Sequence, residues 1–219
     1  MKKYLLLCAV LSIVLISCYL PDDCIENINK LPMYGRVKKC TAQIEADSNF
    51  LKGEDKHFKS RKAAAIYFAK RGWDFYYQQK PDTSMFRFNQ AWMLDSLNAE
   101  VYWGFANLTG MKRLYKESLP LFEKAIKLDS INAKIYISAY TSYGNMFDQT
   151  KDVKYLDTGI LYLKKADRLN PSNASINAFL AGAYSQLLQK DSARKYLKIA
   201  EKIDPNAVHP DIRKMVASH

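Results

Sequence analysis

Glycine, proline, histidine and cysteine are all scarce in this chain of 219 residues, which has 8 Gly, 7 Pro, 3 His and 4 Cys. The low glycine and proline content excludes a collagen-like or low-complexity chain and argues against a turn-rich β-sandwich. So few His and Cys argue against a zinc enzyme and against a disulfide-rich mini-protein. The sequence also has no zinc-protease motif, no glycine-rich phosphate-binding loop and no nucleophile elbow. We therefore expect no catalytic residue, no cofactor, no metal site and no enzymatic activity.

The N-terminal residues have the pattern of an export signal. Residues 1–3 carry two lysines, and residues 4–16 are almost entirely apolar. This run is shorter than the roughly 20 residues that a membrane-spanning helix needs, and it suits the core of a signal peptide over 1–17. The sequence Leu-Ile-Ser-Cys at 15–18 resembles the bacterial lipobox, in which the cysteine sulfur receives a lipid. We expect lipidation of Cys18; the alternative is an ordinary signal peptide with a chance cysteine.

A lipidated Cys18 would attach the chain to a membrane of the cell envelope through the lipid alone. We expect an outer-membrane location, facing either the periplasm or the cell surface. This compartment is oxidising, and Cys24 and Cys40 enclose 15 residues. A disulfide across a loop of that length would stabilise the fold by about 3 kcal/mol. Cys24 and Cys40 are therefore a candidate disulfide.

Basic residues exceed acidic ones, with 33 Lys and Arg against 22 Asp and Glu, a formal net charge of +11. Such a balance attracts an acidic partner, an anionic lipid or an acidic glycan. Many of the lysines and arginines in the second half fall where a solvated helix face is the simpler interpretation. An exported protein has little contact with nucleic acid, so we expect no nucleic-acid partner.

An internal repeat is the strongest feature of the sequence. Four alanines each lie three residues after a large apolar residue: Ala91, Ala125, Ala166 and Ala200. The intervals between successive alanines are 34, 41 and 34 residues. A set of loop-forming residues rich in Asp, Asn, Ser and Pro follows each of these alanines and predicts a helix end. The pattern resembles the tetratricopeptide repeat, a helix-turn-helix unit of 34 residues.

The resemblance implies an all-α fold, an α-solenoid of about four helix-turn-helix repeats with an N-terminal helix and a short C-terminal cap. We place the repeats within 61–207, and the units are 65–98, 99–132, 133–173 and 174–207. The third unit has seven extra residues near 145–156, which lengthen either both helices or the loop between them. Residues 18–40 lack periodicity and are interpreted as a tether, 41–60 as the N-terminal helix and 208–219 as the cap.

Three short segments resemble a group of bacterial repeat lipoproteins. They are Leu-Pro-Met-Tyr-Gly at 31–35, the segment 87–92 and the segment 102–105. This resemblance implies no particular activity. It leaves the function to be argued from the repeat surface.

In tetratricopeptide stacks the first helix of each unit lines the concave face. The exposed positions of these helices define a candidate partner-binding groove, formed by Trp73, Tyr76, Tyr77, Trp103, Asn107, Lys134, Thr141 and Asn145. The groove is aromatic at its N-terminal end, and the fourth unit contributes only small and polar residues. The alternative is that the helix at 41–58 packs over the aromatic side chains and makes them part of the core.

The leading hypothesis is a scaffold that binds an envelope protein or peptide, since Trp and Tyr are common anchors of recognition surfaces. The alternative is a glycan- or nutrient-capture component of an outer-membrane uptake system, with Trp73, Tyr76 and Trp103 stacking on sugar rings.

Some repeats of this type bind a C-terminal carboxylate with several cations. Only Asn107 and Lys134 occupy comparable positions here, so we do not expect such a clamp. Nor do we expect a small-molecule ligand.

Overall fold

The computed structural model describes residues 23–218, so the expected signal peptide and Cys18 lie outside the described residues. This part of the chain forms ten α-helices: α1 Thr41–His57, α2 Arg61–Tyr77, α3 Pro81–Leu94, α4 Ala99–Met111, α5 Tyr115–Leu128, α6 Ala133–Thr150, α7 Val153–Leu169, α8 Ala174–Gln186, α9 Lys190–Ile203 and α10 Pro210–Ala217. Short 3-10 helices occupy Ile28–Lys30 and Pro205–Ala207, and a tight turn occupies Pro32–Arg36. Within 23–218, every helix is too short or too polar to cross a bilayer.

The helices pack in consecutive antiparallel pairs, α2 with α3, α4 with α5, α6 with α7 and α8 with α9. The four repeating alanines are completely buried: Ala91, Ala125, Ala166 and Ala200. Their small side chains let neighbouring helices approach closely, while large apolar residues fill the adjoining space. The structure thus confirms the all-α solenoid of tetratricopeptide type.

The loops between units repeat the same hydrogen bonds because they repeat the same residue types. The Leu97 N–H donates to Asp95 Oδ1 at 2.9 Å, and the Glu100 N–H donates to Asn98 Oδ1 at 3.0 Å. The second of these bonds caps the first turn of α4, where backbone N–H groups have no partner within the helix. The loop at 129–132 makes the equivalent pair of bonds and starts α6.

The extra residues of the third unit lengthen both of its helices. Helix α6 has 18 residues against 13 in α4, and α7 has 17 against 14 in α5. The turn joining α6 to α7 is not extended. The five residues added to α6 and the three added to α7 together amount to about two helical turns, so the structure selects this alternative over a longer loop.

The segment 23–40 is folded, and the tether interpretation is wrong for this part of the chain. Cys24 and Cys40 form a disulfide, with 5.1 Å between their Cα atoms. Ile28, Met33 and Tyr34 are buried. The segment lacks a helical or strand period because it consists of one short 3-10 helix, a left-handed turn and their connections.

Asn89 of α3 holds the segment 23–40 on the repeats. Its side chain is fully buried, and its Oδ1 accepts a hydrogen bond from the Tyr34 N–H at 3.2 Å. Its Nδ2 donates to the carbonyl oxygens of Asn29 at 3.0 Å and Leu31 at 2.9 Å. One asparagine therefore satisfies three backbone groups of a segment nearly 60 residues away in sequence.

Residues 33–36 form a left-handed turn. The φ angles are 54° at Met33 and Tyr34, 67° at Gly35 and 54° at Arg36. Only Gly35 adopts this conformation without a steric penalty, which is roughly 1–2 kcal/mol for each other residue. The hydrogen bonds of Asn89 and the packing of Met33 and Tyr34 hold the turn in place.

Candidate functional site

Four aromatic side chains of the first two units form one cluster on the concave face, which we call the aromatic cluster. The ring of Trp73 lies 4.4 Å from that of Trp103, 5.3 Å from Tyr76 and 6.2 Å from Tyr77, centroid to centroid. The buried Phe88 ring supports Trp73 edge-on at 5.3 Å. Trp73, Tyr76 and Trp103 are half-buried, whereas Tyr77 is 73% exposed. Tyr77 therefore offers the most accessible ring of the cluster.

Hydrogen bonds fix both indole rings. Trp73 Nε1 donates to Glu100 Oε2 at 2.6 Å, and Trp103 Nε1 donates to Ser138 Oγ at 3.0 Å. Burial raises the pKa of the Glu100 carboxyl, and the hydrogen bond from Trp73 opposes that shift. The cluster is thus a rigid surface built across α2, α4 and α6. Rigid aromatic side chains lose little conformational entropy on binding.

Helix α1 leaves the aromatic cluster open. Its Phe50 ring packs on Phe68 at 5.3 Å, and Phe58, which follows α1, packs on Tyr67 at 5.5 Å. Phe68 and Trp73 are five residues apart on α2, which separates them by roughly 140° around the helix. Helix α1 therefore buries its apolar side chains on another side of α2, contrary to the interpretation in which it covers the predicted groove.

The polar residues of the predicted groove make local contacts. Asn107 Nδ2 donates to the carbonyl oxygen of Trp103 at 2.8 Å, and Asn145 Nδ2 donates to that of Thr141 at 2.7 Å. Lys134 is exposed and forms no ion pair within the described residues. The structure brings the aromatic residues together and places Asn107 one turn beyond Trp103. Lys134, at the start of α6, lies close enough to the Glu100 carboxyl to oppose the rise that burial causes in its pKa, whereas Thr141 and Asn145 lie farther along α6.

The fourth unit contributes little open groove, because α10 and the residues before it pack against α8. A Cβ atom added to Gly182 would meet Ile212 at 3.8 Å, and Ser185 Oγ donates to the Met215 carbonyl oxygen at 2.9 Å. Ala178 is also buried. These small residues were predicted to form a polar end of the groove. In the structure they allow the C-terminal cap to pack closely against α8.

A cavity of about 330 Å³ lies between α2 and α4 beside the aromatic cluster. It is lined by Ile66, Ala69, Lys70, Trp73, Asp74, Asn98 and Glu100. A neighbouring depression of about 520 Å³ shares Ile66 and Asn98 and extends toward Leu97. Ile66 and Leu97 are 58% and 67% exposed, so two accessible apolar side chains lie beside the cluster.

Glu100 is a site residue that the sequence reasoning missed. It occupies the second position of the 99–132 unit, which is one of the groove-lining positions, so the repeat alignment already contained the signal. Its contact with Trp73 depends on the packing of two units and has no local signature. Among residues 23–218 no three His, Cys, Asp or Glu side chains are grouped closely enough to hold a metal ion.

Neither a family model nor a curated protein sequence matches this chain. Solved structures do match it in fold. YrrB, described as a tetratricopeptide repeat protein with an unusual peptide-binding site, has a TM-score of 0.60 at 20% identity, over 76% of this chain and 79% of YrrB. TTC0263 of Thermus thermophilus, another tetratricopeptide repeat protein, has a TM-score of 0.57 at 21% identity, over 70% of this chain and 80% of TTC0263. MamA has a TM-score of 0.58 at 20% identity, over 74% of this chain and 87% of MamA. At these identities the likeness establishes the tetratricopeptide fold and nothing finer.

Proposed function

We propose that this chain is a lipid-anchored, non-enzymatic scaffold of the cell envelope. In this proposal it binds an envelope protein or peptide on the concave face of its first two units. The observation that carries the proposal is the aromatic cluster, which is rigid, uncovered by α1 and continuous with exposed Ile66. The peptide-binding site in the description of YrrB shows that the same fold can serve this purpose.

The chemistry of the groove suits a mixed apolar and polar segment. Ile66, Trp73 and Tyr77 offer apolar area for an anchoring side chain. Lys70 and Asp74 line the same cavity, so the charges beside the cluster are of both signs. A protein segment supplies such a combination, with an apolar side chain in the cavity and charged neighbours at the rim.

The ring geometry favours a protein segment over a sugar. Trp73 is inclined by 55° to Trp103, lies edge-on to Tyr76 and is partly stacked by Tyr77. A sugar platform needs an open flat ring face and nearby hydrogen-bond donors. Here the neighbouring rings occupy much of the Trp73 surface, and both indole N–H groups are already used within the fold.

Removing the exposed part of the surface should weaken partner binding and leave the fold intact. The full-length chain serves as bait in detergent-solubilised envelope, and the variant combines Ile66→Ala with Tyr77→Ala. We expect capture of the bound protein to fall by roughly tenfold, since an aromatic anchor contributes about 1–2 kcal/mol. Leu161→Ala is the matched control, because Leu161 is 62% exposed on α7. Equal capture by all three chains would contradict the proposed site.

Lipid attachment can be tested separately. We expect the wild-type chain to incorporate a labelled fatty acid and to partition into detergent, and Cys18→Ala to do neither. The reason is that the lipobox cysteine supplies the only sulfur to which the lipid can be transferred at that sequence. Label retained by the Ala variant would refute the anchor and leave the binding surface unaffected.

A further inference from the structure

A further cavity lies where the N-terminal segment meets the repeats. It has a volume of about 670 Å³ and opens between the left-handed turn at 33–36 and the α4–α5 hairpin. The N-terminal segment supplies part of its wall, and Met85 of α3 supplies its floor. A volume of this size falls within the range of about 300–1,000 Å³ that is usual for small-molecule sites.

The wall of this cavity is mainly aliphatic. Its apolar residues are Leu31, Pro32, Met33, Met85, Leu114, Pro120 and Leu121. Two of them are methionines, whose flexible side chains adapt to irregular apolar ligands. The wall can therefore make many contacts with a long apolar ligand in more than one ligand conformation.

The uncharged polar side chains of the wall are already paired within the fold. Thr109 Oγ1 donates to the carbonyl oxygen of Phe105 at 2.8 Å. The Tyr102 hydroxyl donates to the carbonyl oxygen of Ser96 at 3.0 Å and accepts from Trp92 Nε1 at 3.2 Å. A ligand rich in hydroxyl or amide groups would find few neutral side-chain partners here, which disfavours a sugar or a peptide.

The charged residues of the wall are mostly basic. They are Lys30, Arg36, Lys112, Lys124 and Glu117. Lys30 pairs with Asp82 at 3.1 Å, whereas Arg36, Lys112 and Lys124 have no carboxylate partner among residues 23–218. Lys112 Nζ instead lies 3.3 Å from the carbonyl oxygen of Lys30, which brings it against the N-terminal segment. Three cations therefore face a single carboxylate, and their charge is complementary to an anion.

From this wall we infer that the cavity binds an amphipathic anion, an acyl chain that ends in a carboxylate or phosphate head group. The aliphatic wall takes the chain, and Arg36, Lys112 and Lys124 take the head group. The left-handed turn carries both Met33 and Arg36, and Arg36 Nη2 lies 3.3 Å from Met33 Sδ, so a cation stands directly beside the apolar wall. Strained backbone of this kind is often found at ligand sites.

Photolabelling of the full-length chain tests this inference directly. The probe is dodecanoic acid carrying a diazirine, and the labelled residues are located by peptide mass spectrometry. We expect label on the peptides that contain Met33 and Leu121. Unlabelled dodecanoate and dodecyl phosphate should compete with the probe, and dodecylamine should not. The stronger of the two anionic competitors distinguishes a free fatty acid from a phospholipid as the natural source.

Charge variants supply the control. Lys112→Gln combined with Lys124→Gln should reduce labelling about fivefold, the effect of removing one exposed and one half-buried charge contact. Lys116→Gln combined with Lys127→Gln removes the same charge from α5 at exposed positions outside the cavity and should leave labelling unchanged. Label absent from Met33 and Leu121, equal competition by dodecylamine, or no effect of the Lys112 and Lys124 changes would overturn the inference.

Discussion

Gly104→Ala is expected to lower the free energy of unfolding by about 3 kcal/mol, the upper part of the range for overpacking in a core. Phe88 is fully buried, and its ring lies between the backbones of α2 and α4. A Cβ atom added to Gly104 would overlap that ring, and one added to Gly72 would come within 2.8 Å of it. The two glycines therefore make room for Phe88, and Phe88 in turn supports Trp73 of the aromatic cluster.

Gly144→Ala is the matched control for this substitution. Gly144 is also inside a helix, but a Cβ atom added there would meet nothing within 4 Å. Alanine is the better helix former by about 1 kcal/mol, so the free energy of unfolding should rise by up to that amount. Chemical denaturation of both variants measures the contrast, and a Gly104→Ala chain as stable as the wild type would show that the packing around Phe88 is misassigned.

Asn89→Ala should release the segment 23–40 from α3 and lower the free energy of unfolding by about 3 kcal/mol. The substitution leaves the Tyr34 N–H and the carbonyl oxygens of Asn29 and Leu31 without partners. Each buried polar group left unpaired costs about 1–3 kcal/mol, although undocking of the segment lets water recover part of that cost.

Amide hydrogen exchange measures the release locally. Exchange of the amides in 28–36 should accelerate strongly in Asn89→Ala, while the helices from α4 onward keep their protection. Asn107→Ala is the control, because its amide group donates only to a carbonyl oxygen of its own helix, and it should change stability by no more than about 0.5 kcal/mol. Unchanged exchange in 28–36 would mean that Asn89 does not hold the segment.

The repeat architecture could be predicted from the sequence because its causes recur at a fixed interval. Each buried alanine stands at the same place in its unit, and each loop repeats its Asp and Asn hydrogen bonds. Both the period and the residue types therefore point to the same helix pairs. The lengthening of α6 and α7 was one of two alternatives, since seven residues fit either a loop or nearly two helical turns.

The segment 23–40 could not be predicted in the same way. Its structure depends on hydrogen bonds to Asn89, which is more than 50 residues away, and on a left-handed turn in which Gly35 alone is favoured. Neither cause leaves a periodic pattern in the sequence. An asparagine at 89, inside an otherwise apolar helix face, was the one visible sign of a buried polar contact.

The structure brings together the residues predicted for the aromatic end of the candidate groove, but it differs from the prediction at the other end. Trp73 and Trp103 were placed by their positions in the repeat, and the structure brings their rings into contact. The fourth unit differs because small residues suit both an open polar surface and a closely packed one. Only the packing of α10 against Gly182 and Ser185 shows that this surface is closely packed and not open.

Site-specific photocrosslinking in the cell tests most directly whether the aromatic cluster binds a protein partner. A photoreactive phenylalanine analogue replaces Tyr77 in one full-length chain and Leu161 in a second, because both side chains are highly exposed and lie on different helices. We predict a discrete protein adduct from position 77, lost when Ile66→Ala is added, and none from position 161. No adduct from position 77 in a folded, exported chain, or the same adducts from both positions, would contradict the proposed role of the concave face.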